Sequence, residues 1–89
     1  MAKANVDPED LIRFAKSLTQ FNRAMQEMTG GLKGQMRRLE GTWQDQEQAK
    51  FSQTFYEALR VMDRFAEANE QHAQLLAKKA RHIQAYLDA

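Results

Sequence analysis

From residue 8 to residue 87 the sequence keeps a helical spacing of apolar positions, and it breaks once, in the stretch 39–51, LEGTWQDQEQAKF. A single break in so long a pattern leaves one economical fold, two helices turned back on each other. The break contains a glycine, a threonine and the only tryptophan, Trp43. Asp45 followed three residues later by Gln48 reads as a capping box: the aspartate accepts from free N–H groups of the first turn and the glutamine reaches back. Gly41 is the natural place for the preceding helix to loosen, because a residue without Cβ tolerates positive φ. The elbow is therefore about 41–45, with one helix over about 8–41 and another over about 46–87.

The first helix opens on Asp7-Pro8-Glu9-Asp10, an N-cap, a proline where its missing N–H costs nothing, and two acids at the positive end of the dipole. Residues 1–6 read as a short loose lead. Leu11, Phe14, Leu18, Phe21, Met25, Met28 and Leu32 then alternate at three and four residues, a coiled-coil seam. After Leu32 the stripe shifts by one to Met36, Leu39 and Trp43, a local stutter. Gly30, Gly31 and Gly34 weaken the helix here by about 1 kcal/mol each against alanine. The pattern on both sides predicts that it continues through them.

In the second helix the seam runs through Phe51, Phe55, Ala58, Met62, Phe65, Asn69, His72, Leu76, Lys79, Ile83 and Tyr86. Leu59, Ala66, Ala73, Ala80 and Leu87 flank it on one side, and Val61, Ala68 and Leu75 on the other. So wide an apolar face exceeds what one partner helix covers. The expected fold is all-α, an antiparallel two-helix hairpin that dimerises into an elongated four-helix bundle, burying the surplus face of Val61, Ala68 and Leu75 or the glycine-bearing segment. With the elbow near residue 44, Lys78, Lys79 and Arg81 are expected beside Asp10, Glu9 and Asp7 at the open end, fixing register more than stability.

The chain's 89 residues amount to one small domain that buries modest surface alone, and with no cysteine there is no disulfide or thiolate metal site to reinforce it. Thirteen basic and twelve acidic residues, close to balance in each half, give little pull on nucleic acid. The start MAKANVDPED has no apolar core of a cleavable signal peptide. No stretch approaches the ~18 apolar residues of a membrane span, so neither membrane insertion nor a secretory signal is expected.

No residue is arranged as a catalyst, and no cofactor or metal is expected. His72, three residues after Asn69, has a functional reading as buried base or metal ligand. The plainer reading prevails, that Asn69 and His72 are polar seam residues that set helix register. His82 lies ten residues on, on a different side of the helix, and shares no metal with His72. Met25, Met28, Met36 and Met62 fit core positions better than an adaptable peptide groove. Lys33, Arg37 and Arg38 read as a solvated face. Trp43 is either a plug for the hairpin end or an anchor for a partner.

Two helices of similar length with a tryptophan in the turn resemble the WXG family, the early-secreted-antigen-like helical hairpins handled by type VII secretion systems. That pattern has Trp, any residue and Gly in the elbow, then a large apolar residue eight after the tryptophan. Trp43 and Phe51 match it, and Asp45 stands at the glycine position, a variant elbow. The family's export signal, Tyr-x-x-x-Asp/Glu after the second helix, is absent in that form; Tyr86 and Asp88 are a degenerate match, and in a heterodimer the partner would carry the signal instead. The resemblance implies a non-enzymatic secretion substrate or export partner. It would pair with itself or a paralogous WXG-like protein, engage an FtsK/SpoIIIE-like ATPase, and leave the cell without a cleavable signal. The alternative is a cytoplasmic helical adaptor that is not exported. Trp43, Asp45 and Phe51 would form the elbow recognition motif.

Overall fold

Two helices, α1 (Pro8–Thr42) and α2 (Gln46–Asp88), lie antiparallel along their whole length in the computed structural model, which describes residues 6–88. The expected loose lead falls mostly outside the described residues. The hairpin is a rod of 66 × 21 × 14 Å.

Asp7 starts α1 as the sequence suggests: its backbone is extended and its Oδ1 accepts from the Glu9 N–H at 2.9 Å, with Pro8 in the first turn. Gly30, Gly31 and Gly34 leave the helix unbroken. At the other end Gly41 stays helical, without positive φ, so its expected loosening role is not used. Trp43 instead closes α1 in an extended conformation, its N–H donating to Leu39 O at 2.8 Å. The turn is only three residues, and Asp45 begins α2 by accepting from the Gln48 N–H at 2.8 Å. The capping box is half made. The Gln48 amide donates to Ser52 Oγ rather than reaching back to Asp45.

The hairpin core is where expectation and structure part. The buried line of α1 is Pro8, Ala15, Asn22, Thr29 and Met36, and that of α2 is Ser52, Leu59, Ala66, Asn69, Ala73 and Ala80. Apart from Asn69, each set repeats every seven residues, but most members are small or polar. Much of the bulky seam expected inside lies about 100° round each helix from that line. Phe14, Phe21, Met28, Phe51 and Phe65 are 47–71% exposed, and His72, expected in the seam, is also exposed. Small residues win the inner line because they let two helix axes approach at the short end of the usual 8–10 Å, so that long stretches of backbone and Cβ touch. Leu11, Leu18, Met25, Phe55, Leu76 and Ile83, partly buried, close one edge of that line.

Polar groups on the inner line are all satisfied. Asn22 Nδ2 donates to Ala66 O at 3.1 Å, and Asn69 Nδ2 donates to Asn22 Oδ1 at 3.4 Å. Thr29 donates to Gln26 O within its own helix. Among the described residues no buried side-chain polar atom lacks a partner. The partner of Asn69 is thus Asn22, across the hairpin, and not His72. The ion pairs expected at the open end are replaced as well: Arg13 is held by Glu9 and Asp10 of its own helix, while Lys33 and Asp63 make the cross-helix pair at 3.9 Å.

Candidate functional site

The hairpin has two unlike broad faces, because the rows flanking the buried line differ in chemistry. On one side, α1 presents Phe14, Phe21 and Met28 and α2 presents Phe51, Phe65 and His72, with Val61 and Leu75 one row further out. Phe21 and Phe65 meet edge to face across the helices, centroids 6.3 Å apart at 90°, which confirms that these rows share a face. His72 lines a hollow there with Phe14, Leu18, Asn69, Leu75 and Leu76. On the other side lie Thr19, Arg23, Lys33, Glu40, Tyr56, Asp63 and Glu70, in a polar face joined by the Lys33–Asp63 pair and by bonds to Glu40.

The apolar face is larger than expected. Val61 and Leu75 are 55% and 63% exposed, as a surplus row should be, but the aromatic rows beside them are uncovered too. The single hairpin therefore buries mostly alanines, with Met36 and Leu59, and leaves Phe14, Phe21, Phe51 and Phe65 about half exposed. Soluble monomers rarely keep a contiguous apolar patch beyond a few hundred Å². Such a face is a candidate interaction surface.

The elbow carries a second cluster. Trp43, half-buried, lies against Phe51 at 5.9 Å, Phe51 stacks on Phe55 at 6.0 Å, and Phe55 meets Tyr56 edge-on at 5.6 Å. The spacing of eight between Trp43 and Phe51 has a simple meaning: the first two turns of α2 bring Phe51 back under the indole. Behind this row, Glu40 ties the helices together, accepting from Ser52 Oγ at 2.8 Å and from the Tyr56 phenol at 3.3 Å. Loss of solvent first, and the nearby Glu40 charge second, push the Tyr56 phenol above its usual pKa. Neither Glu40 nor Asn22 was singled out in the sequence. Asn22 sits with Thr29 in a seven-residue row of mostly small or polar residues, which gives no local signal of burial, and Glu40 carries no mark either.

The hydrogen bond from the Gln48 N–H, helped by a weaker one from the Trp43 side chain, holds the Asp45 carboxyl below its ordinary value of 3.8. A depressed carboxylate pKa stabilises the fold fully above the unfolded-state value, and that contribution is lost as pH falls through the folded one. The Asp45 share of stability is thus expected to disappear on acidification below about pH 4. Asp45→Asn keeps a capping acceptor and removes the titration. The stability difference between wild type and this variant, followed by circular dichroism, should shrink as pH falls from 5 to about 2; a constant difference would show that the cap charge is immaterial.

Tyr86, at the far end, is 82% exposed, and Asp88 accepts from the Gln84 amide at 3.3 Å. The two therefore stand about 60 Å from Trp43, at the rise of an α-helix, and form no common site with the elbow. Among the described residues no cluster of His, Asp and Glu is placed to hold a metal, and no helix is long and apolar enough to cross a membrane.

Comparison with known proteins gives the same shape a family. The WXG100 family model, proteins of 100 residues with WXG, matches residues 3–86. The secreted protein EsxB from Bacillus anthracis str. Sterne is similar in structure, with a TM-score of 0.83 at 28% identity over 92% of this chain and 88% of that one. A single-residue variant of EsxB reaches 0.87 at 27% identity, covering 96% of each chain. Among curated protein sequences nothing matches.

Proposed function

This chain belongs to the WXG100 family, and we propose that it is a type VII secretion substrate or export partner that acts through helix–helix binding and carries no catalytic activity. The observation that carries this reading is the uncovered apolar face of a hairpin whose own core is made of small residues. A second hairpin, another copy or a WXG-like paralogue, covers that face and completes a four-helix bundle. The secreted character of EsxB supports export of this chain. The bundle would be recognised by an FtsK/SpoIIIE-like ATPase, with Tyr86 and Asp88 as a degenerate signal and Trp43, Asp45 and Phe51 as the elbow motif. Asn69, with Asn22, sets the register of the two helices; His72 serves the outer face.

The test is the culture supernatant. The protein is expected outside intact cells and retained when the ATPase gene is deleted. Retention under all conditions would hand the chain to the alternative reading, a cytoplasmic adaptor. In the same assay Trp43→Ala tests the elbow. The indole is only half-buried, so a recognition role predicts a modest loss of stability and a loss of binding of about 2 kcal/mol or more, roughly thirtyfold. Strongly blue-shifted tryptophan emission that soluble quenchers leave unchanged would remove the anchor role.

A further inference from the structure

The polar face carries a pattern of which the single hairpin uses only Glu9, paired with Arg13 of its own helix. Two rows out from the buried line, beyond Thr19 and Lys33 on one helix and Asp63 and Glu70 on the other, α1 presents the row Glu9, Lys16, Arg23, Gly30 and Arg37, and α2 the row Gln53, Arg60, Glu67, Gln74 and Arg81, each with seven-residue spacing. Asn22 bonds to both Ala66 and Asn69, which sets the level of the helices. At that register Glu9 is level with Arg81, Lys16 with Gln74, Arg23 with Glu67, Gly30 with Arg60 and Arg37 with Gln53. No like charges share a level within these rows. Arg23 and Glu67 border one hollow on this face and Lys16 and Gln74 the adjoining one, floored by small residues such as Ala15, Ala66 and Ala73. Yet the rows point outward, and among the described residues none of these level pairs forms an ion pair.

We propose that this polar face docks a second copy of the chain, with α1 of each copy lying over α2 of the other about a two-fold axis parallel to the rod. The charges select both the occupant and the orientation. Rotation about that axis places Arg23 of one copy over Glu67 of the other, and Glu9 over Arg81, each pair occurring twice because the interface is isologous. The perpendicular in-plane axis would set the cationic row of α1 on itself. Gly30, where an added Cβ would meet nothing within 4 Å, leaves open space for Arg60 of the second copy. In the neighbouring outer row Arg13 comes level with Lys78, but Arg13 is already held by Glu9 and Asp10. The shallow small-residue trench lets the two polar faces approach. This contact lies opposite the apolar face and does not depend on export; with apolar pairing it gives bundles that associate further.

The interaction is electrostatic and salt-dependent, since the screening length falls from about 30 Å at 10 mM salt to about 3 Å at 1 M. Sedimentation of the wild type should show self-association at low salt, beyond any pairing that persists in high salt. Arg23→Glu and Glu67→Arg, both at exposed positions, should each weaken the low-salt association about tenfold, because each reversal acts at two symmetry-related pairs. The double variant, Arg23→Glu with Glu67→Arg, should restore it. Copies carrying Lys16→Cys, mixed with copies carrying Gln74→Cys, should form the mixed disulfide at low salt and not at high salt. Wild type without salt-dependent association, single reversals that associate like wild type, or a double variant no better than the singles would each overturn the proposal and leave the trench to another occupant.

Discussion

Phe65→Glu is expected to leave both helices of the hairpin formed and to abolish its pairing through the apolar face. Phe65 is 51% exposed in the single hairpin and makes one aromatic contact within it, with Phe21. Losing that contact costs the hairpin itself about 0.5–1.5 kcal/mol. In a bundle paired through the apolar face the same position would be central and far from solvent. A carboxylate there has to be desolvated without a partner or must take up a proton, and either route costs several kcal/mol. Removal of a central aromatic anchor alone is worth about 2 kcal/mol or more, so dimer affinity should fall by well over a hundredfold once the charge is added. Sedimentation equilibrium at micromolar concentration, at high salt to silence the polar face, reads the change directly. A wild type that sediments there as a folded monomer, or a variant that pairs as tightly as wild type, would remove the apolar face as the pairing surface.

The second large effect comes from enlarging alanines. Ala66 and Ala80 are 3% and 0% exposed, in the line where α1 and α2 are closest. Leucine at either position has no space to enter without pushing the helices apart, at about 1–3 kcal/mol each. They stand about 20 Å apart along α2, so the two costs should roughly add. Parting the helices also stretches the bonds between Asn22, Ala66 and Asn69, which would then be strained or broken. A native domain has only about 0.05–0.15 kcal/mol of stability per residue to lose. Ala66→Leu with Ala80→Leu should therefore unfold the hairpin at room temperature or lower its melting point drastically, measured by circular dichroism at fixed concentration because pairing contributes to apparent stability. By contrast Leu75→Ala, at 63% exposure, should scarcely change the folding of the single hairpin. If the added methylenes prove harmless, the small-residue line is not the closest contact.

These two expectations invert what residue size suggests, and the inversion marks how far the sequence could be read. Helix starts were legible at Asp7-Pro8 and at Asp45, because caps act through neighbours two or three residues away. The turn was legible from the single lapse in periodicity, and the surplus of apolar surface from the width of the stripes. The elbow stack of Trp43 on Phe51 follows from a spacing in the sequence, but the half-burial of the indole does not. The polar ties of Glu40 to Ser52 and Tyr56 were not legible, since they depend on which turn of α2 returns beside which turn of α1.

By itself the sequence determined that this chain makes two long helices joined by a tight elbow, and that together they carry more apolar surface than one hairpin can bury. Both are local properties, set by caps, by Pro8 and by the period of the pattern. Only the tertiary structure decided which row turns inward. The two rows stand only about 100° apart on each helix, and a stripe that wide gives no local signal to choose between them. The choice is made by distance: the row of Ala15, Asn22, Ala66, Ala73 and Ala80 lets the backbones come close and pairs its own polar groups. The bulky row would hold the helices further apart. It is therefore left outside, and the face it forms is the part of the molecule open to another chain.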